Sequence, residues 1–320
     1  MKMGKFIGVW KLDKPIYCKK EVSGRCFQSN VSGVSVTFCF PSCPETYNGG
    51  VNSLTKGDLI APLNIFQEQI NWGIIHAWPD GLFSVNSLLC IGNGEESEVQ
   101  SIYTDFPRWK EKFNNLVLIN SGNFIQPEQK PITLLQYGNG VCDGLEIFML
   151  EEDKPLKREV NNRDLEPILV QLISSEQCYD IETVRALFEN AGSQKEIILP
   201  YELLIVAYRA VIRHDFRSAI IIAATALEKS ILNRIQRYYT DNQLTTFESD
   251  KRHHKMLGKE FGWLNELGIA IPVQDYQTEI LDVRNPTAHE GRTQNYNSTA
   301  RYLENCKLII QAYSSNVLEE

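Results

Sequence analysis

Apolar and polar positions along this 320-residue chain change period near its middle. In the first part Val34, Val36, Phe38 and Phe40 alternate with Ser35, Thr37 and Cys39, the period of a strand buried on one face. Pro79-Asp80-Gly81 separates the apolar runs Trp72–Trp78 and Leu82–Ile91, and these residue types predict a hairpin turn. A second hairpin is expected between Ile132–Tyr137 and Leu145–Leu150. A short helix interrupts the strands, with Asp105 at its N-cap, Pro107 in its first turn and Trp109 and Phe113 on one face.

At Glu151-Glu152-Asp153-Lys154-Pro155 the pattern gives way to a charged connector, and beyond it the spacing is helical. Two linking helices are expected, Arg163–Cys178 and Ile181–Asn190, with Pro167 in the first turn of its helix. From Leu199, Pro200 opens a helix to about His214, and Asp215 caps a second with Ala219, Ile222, Ala223, Ala226, Leu227 and Ile231 along one side. A third runs from Met256 to Leu267 and ends at Gly268, a fourth starts at Asp275, and a fifth starts near Ser298. The expected class is α+β: residues 1–150 form a β-rich sandwich or barrel with a sensing or binding role, 151–198 a helical linking segment, and 199–320 an all-α bundle.

A formal charge of -8 and a pI near 5.3 exclude a protein that coats nucleic acid through bulk electrostatics, so any RNA contact is a local patch. No run reaches the ~18 apolar residues of a membrane span, and Met1-Lys2-Met3-Gly4-Lys5 lacks the apolar core of a signal peptide, so a cytoplasmic protein without membrane contact is expected. Eight cysteines scattered through such a chain read as reduced, mostly buried thiols. Cys39 and Cys43 have a CxxxC spacing but no second close pair follows, so no metal site is expected.

The stretch Arg284-Asn285-Pro286-Thr287-Ala288-His289-Glu290-Gly291 most nearly names a chemistry. It combines a permanent cation, a polar amide and an imidazole, a set able to cleave RNA without a metal. Spacing alone is permissive: with five histidines, roughly 0.7 such Arg-to-His pairs arise by chance. Arg209 and His214 have the same spacing, but Ala210 follows the arginine and an unbroken helix points residues five apart about 140° away from each other. In the second stretch Pro286 is expected to push Asn285 out of helical dihedrals, so that the chain turns and Arg284 meets His289. The same residues also suit a plain helix end, with Gly291 as a left-handed cap.

Together with Phe216-Arg217-Ser218-Ala219 through Ala226-Leu227-Glu228-Lys229-Ser230, Leu264-Asn265-Glu266-Leu267-Gly268-Ile269 and Leu281-Asp282-Val283, this stretch resembles a HEPN domain over about Leu199–Val317. Arg284, Asn285 and His289 match the HEPN motif of arginine, polar residue and histidine with four to six residues between the first and the last. The resemblance implies a helical bundle that forms a homodimer with its two motifs facing across a cleft, and a metal-independent endoribonuclease activity that needs no cofactor. It implies catalytic roles for Arg284, His289 and Asn285 and an orienting role for Glu228. A variable N-terminal domain before such a bundle is similar in layout to Apea-like HEPN antiphage proteins, which implies a toxin-like or abortive-infection role and a phage or small-molecule trigger at the N-terminal domain. The other expectation from the same resemblance is a non-catalytic dimerisation or RNA-binding module coupled to a ligand-sensing β domain.

Lys251-Arg252-His253-His254-Lys255 is the densest basic segment, and Lys251, Arg252 and Lys255 are candidate contacts to an RNA backbone, against the plainer reading of a solvated helix start. Trp10, Trp72, Trp78 and Trp109 have the chemistry to stack on bases, but packing in a core or hairpin is the expectation for them, and His76 reads as structural.

Overall fold

The computed structural model describes residues 4–42, 50–54, 73–77, 81–121, 145–149, 178–291, 294–314 and 316–319. The chain divides into two units, Met1–Val117 with Glu128–Ser193, and Leu118–Pro127 with Gln194–Glu320.

In the first unit the seven described strands are β1 (Gly4–Cys18), β2 (Cys26–Val31), β3 (Val34–Cys39), β4 (Gly50–Leu54), β5 (Gly73–Ala77), β6 (Phe83–Gly94) and β7 (Leu145–Met149). They form one antiparallel sheet, in which β6 pairs with β1 along one edge and with β3 and β5 along the other. The β5–β6 hairpin is the one expected around Pro79-Asp80-Gly81, with Ala77 opposite Phe83; Pro79 and Asp80 themselves lie outside the described residues. Strand β7 pairs with β1, Trp10 opposite Leu145, while its expected partner segment 132–137 lies outside the described residues, as do Trp72, Trp78 and the expected helix over 163–177.

A sandwich or barrel is the expectation for this unit, but among the described residues the layer on the sheet is helical. Helix α1 (Glu96–Ser121) and helix α2 (Ile181–Gly192) cover it with aromatic rings. Trp10 of β1 lies edge-on to Phe106, Trp109 and Phe113 of α1, and Phe38 of β3 stacks on Trp109 and Phe188. Trp10 and Trp109 are therefore core residues. Ser29 ties the layers together, accepting from Trp109 Nε1 (2.9 Å) and donating to the Phe188 carbonyl (2.6 Å). Such a fully paired buried hydroxyl fixes one docking geometry where ring packing alone would allow sliding. The end of α2 sits so close to β2 that a Cβ on Gly192 would lie 2.4 Å from Asn30 N. Gly192→Ala is expected to cost roughly 1–3 kcal/mol, read as a lower thermal midpoint.

Helix α1 starts well before Asp105. Glu95 donates its N–H to Glu98 Oε2 (2.7 Å), a capping arrangement without the usual Ser or Thr, and Pro107 sits in the helix interior. A proline inside a helix costs about 3 kcal/mol through the missing hydrogen bond and the clash of its ring with a carbonyl, a cost that the ring cluster around Trp109 offsets. Cys39 lies opposite Cys26, with the two sulfurs 2.8 Å apart, and Cys43 of the CxxxC spacing is outside the described residues.

The second unit contains α3 (Leu199–Ile212), α4 (Phe216–Asp241), α5 (Phe247–Lys251), α6 (Leu257–Glu266), α7 (Asp282–Asn285) and α8 (Tyr296–Tyr313). Buried Ala219, Ala223 and Ala226 give α4 a narrow side, and α4 packs with α3 and α8, whose buried residues include Leu204, Ala207, Tyr208, Leu303, Cys306 and Ile310. The carboxylate of Asp215 accepts from Ser218 N–H and caps α4, and hydrogen bonds from the Ser218 hydroxyl and N–H lower its pKa. Between α3 and α4 the chain turns through His214 in the left-handed region (φ 60°), so the helix expected to run through Arg209 and His214 ends at Ile212. Gly268 (φ 69°) follows α6 as expected. No helix among the described residues is long and apolar enough to cross a membrane.

Candidate functional site

Proline is expected to break the helix between Arg284 and His289, and the backbone shows otherwise. Asn285 (φ -64°, ψ -49°) and Pro286 (φ -63°, ψ -36°) are both helical. What changes is the pitch: Gln277–Leu281 and Pro286–Glu290 are π turns flanking α7. A wider turn gives the proline ring room beside the carbonyl it would otherwise strike, and its i→i+5 pattern stacks residues five apart on one face. Arg284 and His289 converge by that route. Gly291 N–H closes the turn on the Pro286 carbonyl, and Gly291 itself is left-handed (φ 69°), the cap its position predicted.

Arg284 Nη1 donates to Asn285 Oδ1 and to His289 Nε2, both at 3.2 Å. A guanidinium has no acceptor, so Nε2 is the lone-pair nitrogen here and the ring proton sits on Nδ1. From α4, Glu228 Oε1 approaches Arg284 Nη2 at 3.7 Å. Partial burial raises the Glu228 pKa, and the charges of Arg284 and Lys229 act against that rise. Below the motif, Thr287 is fully buried and its hydroxyl donates to the Val283 carbonyl (2.8 Å), while Glu279 accepts from Arg301 and Asn305 of α8. These bonds hold the first π turn to α8 and fix the rotation of the helix that carries the motif.

The basic segment is not a helix start. Lys251 ends α5, and residues 252–255 turn towards α6. Lys251 and Lys255, with His254, line a cleft of about 240 Å³ whose other walls are Glu228, Lys229 and Leu232 of α4 and Glu260 of α6. Arg252 is exposed and stands outside that lining. His254 is fixed in place: its ring stacks on Trp263, Nδ1 donates to the Asp250 carbonyl (2.9 Å), and Nε2 lies 3.8 Å from Glu266. Glu260 is 4% exposed, and its Oε2 has no hydrogen-bond partner. Burial, with Glu228 adding repulsion, pushes its pKa up to about 8.

Sequence reading does not single out Glu260 or Lys229. Glu260 occupies an apolar-face position beside Leu257, Phe261 and Leu264, and a charged residue on a buried helical stripe is the signal that marks it. Among the described residues no group of three or more His, Cys, Asp or Glu side chains could hold a metal. The chain matches no known family model, no curated protein and no solved structure.

Proposed function

We propose that this chain is a metal-independent endoribonuclease of HEPN type. The observation that carries the reading is the convergence of Arg284, Asn285 and His289 on one helical face, with Glu228 behind the arginine. RNA brings its own nucleophile, so the site has to remove the 2′-OH proton, protonate the leaving 5′ oxygen and stabilise the charge between them. The lone pair on His289 Nε2 takes the proton. Arg284 exchanges its bond to that nitrogen for the non-bridging oxygens and holds them with its fork, and Asn285 orients the phosphate. One imidazole cannot act as base and acid in the same instant, so a homodimer through the helical unit supplies the second His289 from the facing copy. The products are a 2′,3′-cyclic phosphate and a 5′-OH, and DNA, lacking the nucleophile, is not cut.

In this reading the β-rich unit senses a phage or small-molecule trigger and the activity serves antiphage defence or a toxin-like role. The competing reading is a non-catalytic dimerisation or RNA-binding module. It draws on the Arg284–His289 bond itself, which satisfies both side chains without any substrate. The test is a pair of measurements. Purified protein in EDTA is expected to cut RNA to 2′,3′-cyclic phosphate ends, with His289→Ala losing at least about a thousandfold in rate. Expression is expected to arrest growth and His289→Ala to relieve the arrest. Cleavage that persists in His289→Ala, or that requires a divalent ion, removes the assignment.

A further inference from the structure

The cleft beside the motif has a composition that a solvated helix surface does not need. It sets three ammonium groups, Lys229, Lys251 and Lys255, around a carboxyl that is buried and left with an unpartnered oxygen. Leaving a buried polar atom unpaired costs about 1–3 kcal/mol, and an apolar residue on that face of α6 would avoid the cost. Such a group is retained at a loss unless a ligand completes it. The cations imply an anion, and the acceptor beneath them implies hydrogen-bond donors on the same ligand. A nucleotide has both, a phosphate at one end and donors on its base at the other. Glu228 lines this cleft and also faces Arg284, so a ligand here lies one carboxylate away from the guanidinium.

We propose that this cleft binds the nucleotide flanking the scissile phosphate, with Lys251 and Lys255 holding its phosphate and Glu260 accepting from the exocyclic amine of its base. The inference rests on the ribonuclease reading for its substrate. An acceptor placed to meet an exocyclic amine favours adenine, cytosine or guanine over uracil, which presents a carbonyl oxygen at the corresponding edge. Unlike Arg284 and His289, Glu260 is a specificity residue and takes no part in the bond that breaks. His254, stacked on Trp263 and tied to Asp250, keeps the wall between the two lysines rigid.

The experiment sequences the 5′-OH ends released from a randomised RNA and measures kcat/KM on matched substrates that differ at the flanking base. The unaltered protein is expected to favour amine-bearing bases over uracil by about tenfold or more, the discrimination one such contact supplies. Glu260→Leu brings that ratio close to one, and Lys255→Ala raises KM on every substrate. A ratio that Glu260→Leu leaves unchanged, or an unaltered protein with no base preference, overturns the proposal. If the unaltered protein cuts no RNA, the ribonuclease reading fails and the cleft is tested apart from it by titration with AMP, CMP, GMP and UMP. Saturable binding, tighter for the first three and weakened by Lys255→Ala, supports the site, and no saturable binding of any of the four overturns it. Lys255 is exposed, so its variant answers the question even if a change at Glu260 disturbs the fold.

Discussion

Arg284→Lys is expected to lower kcat on RNA by two to three orders of magnitude while the protein stays folded. The substitution keeps the charge and removes the fork. Arg284 presents Nη1 to Asn285 and His289 and Nη2 to Glu228 at once, and an ammonium on a flexible stem is a point charge that cannot hold those three directions together. Loss of one preorganised donor from a charge-developing transition state costs about 10²–10³ in rate. The arginine side chain is 23% exposed, and its pair with Glu228 is partly solvated, so the stability change is expected within about 1 kcal/mol. Single-turnover cleavage and a thermal melt on the same preparation separate the two effects. A rate within about threefold of the unaltered protein would remove Arg284 from the proposed transition state.

The second large effect is a pH dependence of stability that resides in Glu260. Its carboxyl titrates near 8 in the fold against an ordinary value of 4.5, because burial and the nearby Glu228 carboxylate both disfavour its anion. Between those values the folded protein binds a proton that the unfolded chain has released, so stability falls as pH rises from about 4.5 to about 8 and is level above. The loss is on the order of a few kcal/mol, after allowing for water that enters the cleft. Glu260→Gln removes the titration and keeps the size, so its chemical-denaturation midpoint is expected to fall much less over that window. Equal pH slopes for the two proteins would show that Glu260 does not hold its proton in the fold.

How legible the molecule is in its sequence depends on the range of the signal. The β5–β6 hairpin, the Asp215 cap and the left-handed Gly268 and Gly291 are each decided within a few residues, and each lies where local chemistry put it. Helix α1 looks too short in the sequence because its start uses Glu95 and Glu98 in place of a Ser or Thr cap and because Pro107 reads as a beginning. The layer over the sheet is misread since the residues that face it, Trp109 and Phe188, are separated by long stretches of chain, and strand periodicity does not say whether a helix or a sheet will cover it. The motif itself is legible, but the cause of its convergence is not a helix break: the proline rule describes an α-helix, and this helix changes pitch. Lys229, Lys251 and Glu260 meet only through the packing of α4, α5 and α6, which no local pattern encodes.

The π turn at Pro286–Glu290 also bears on how such a pair of side chains tolerates insertions. In an α-helix, residues four apart share a face; in a π turn, residues five apart do. A single residue inserted between two cooperating side chains can thus be taken up as a local widening, with both ends of the helix and both side chains left in register. For a two-residue helical site, spacing is then a small set of permitted values, each with its own backbone pitch. Arg284 and His289 occupy the longer of these two spacings, and the helix beneath them has swollen by one residue to suit.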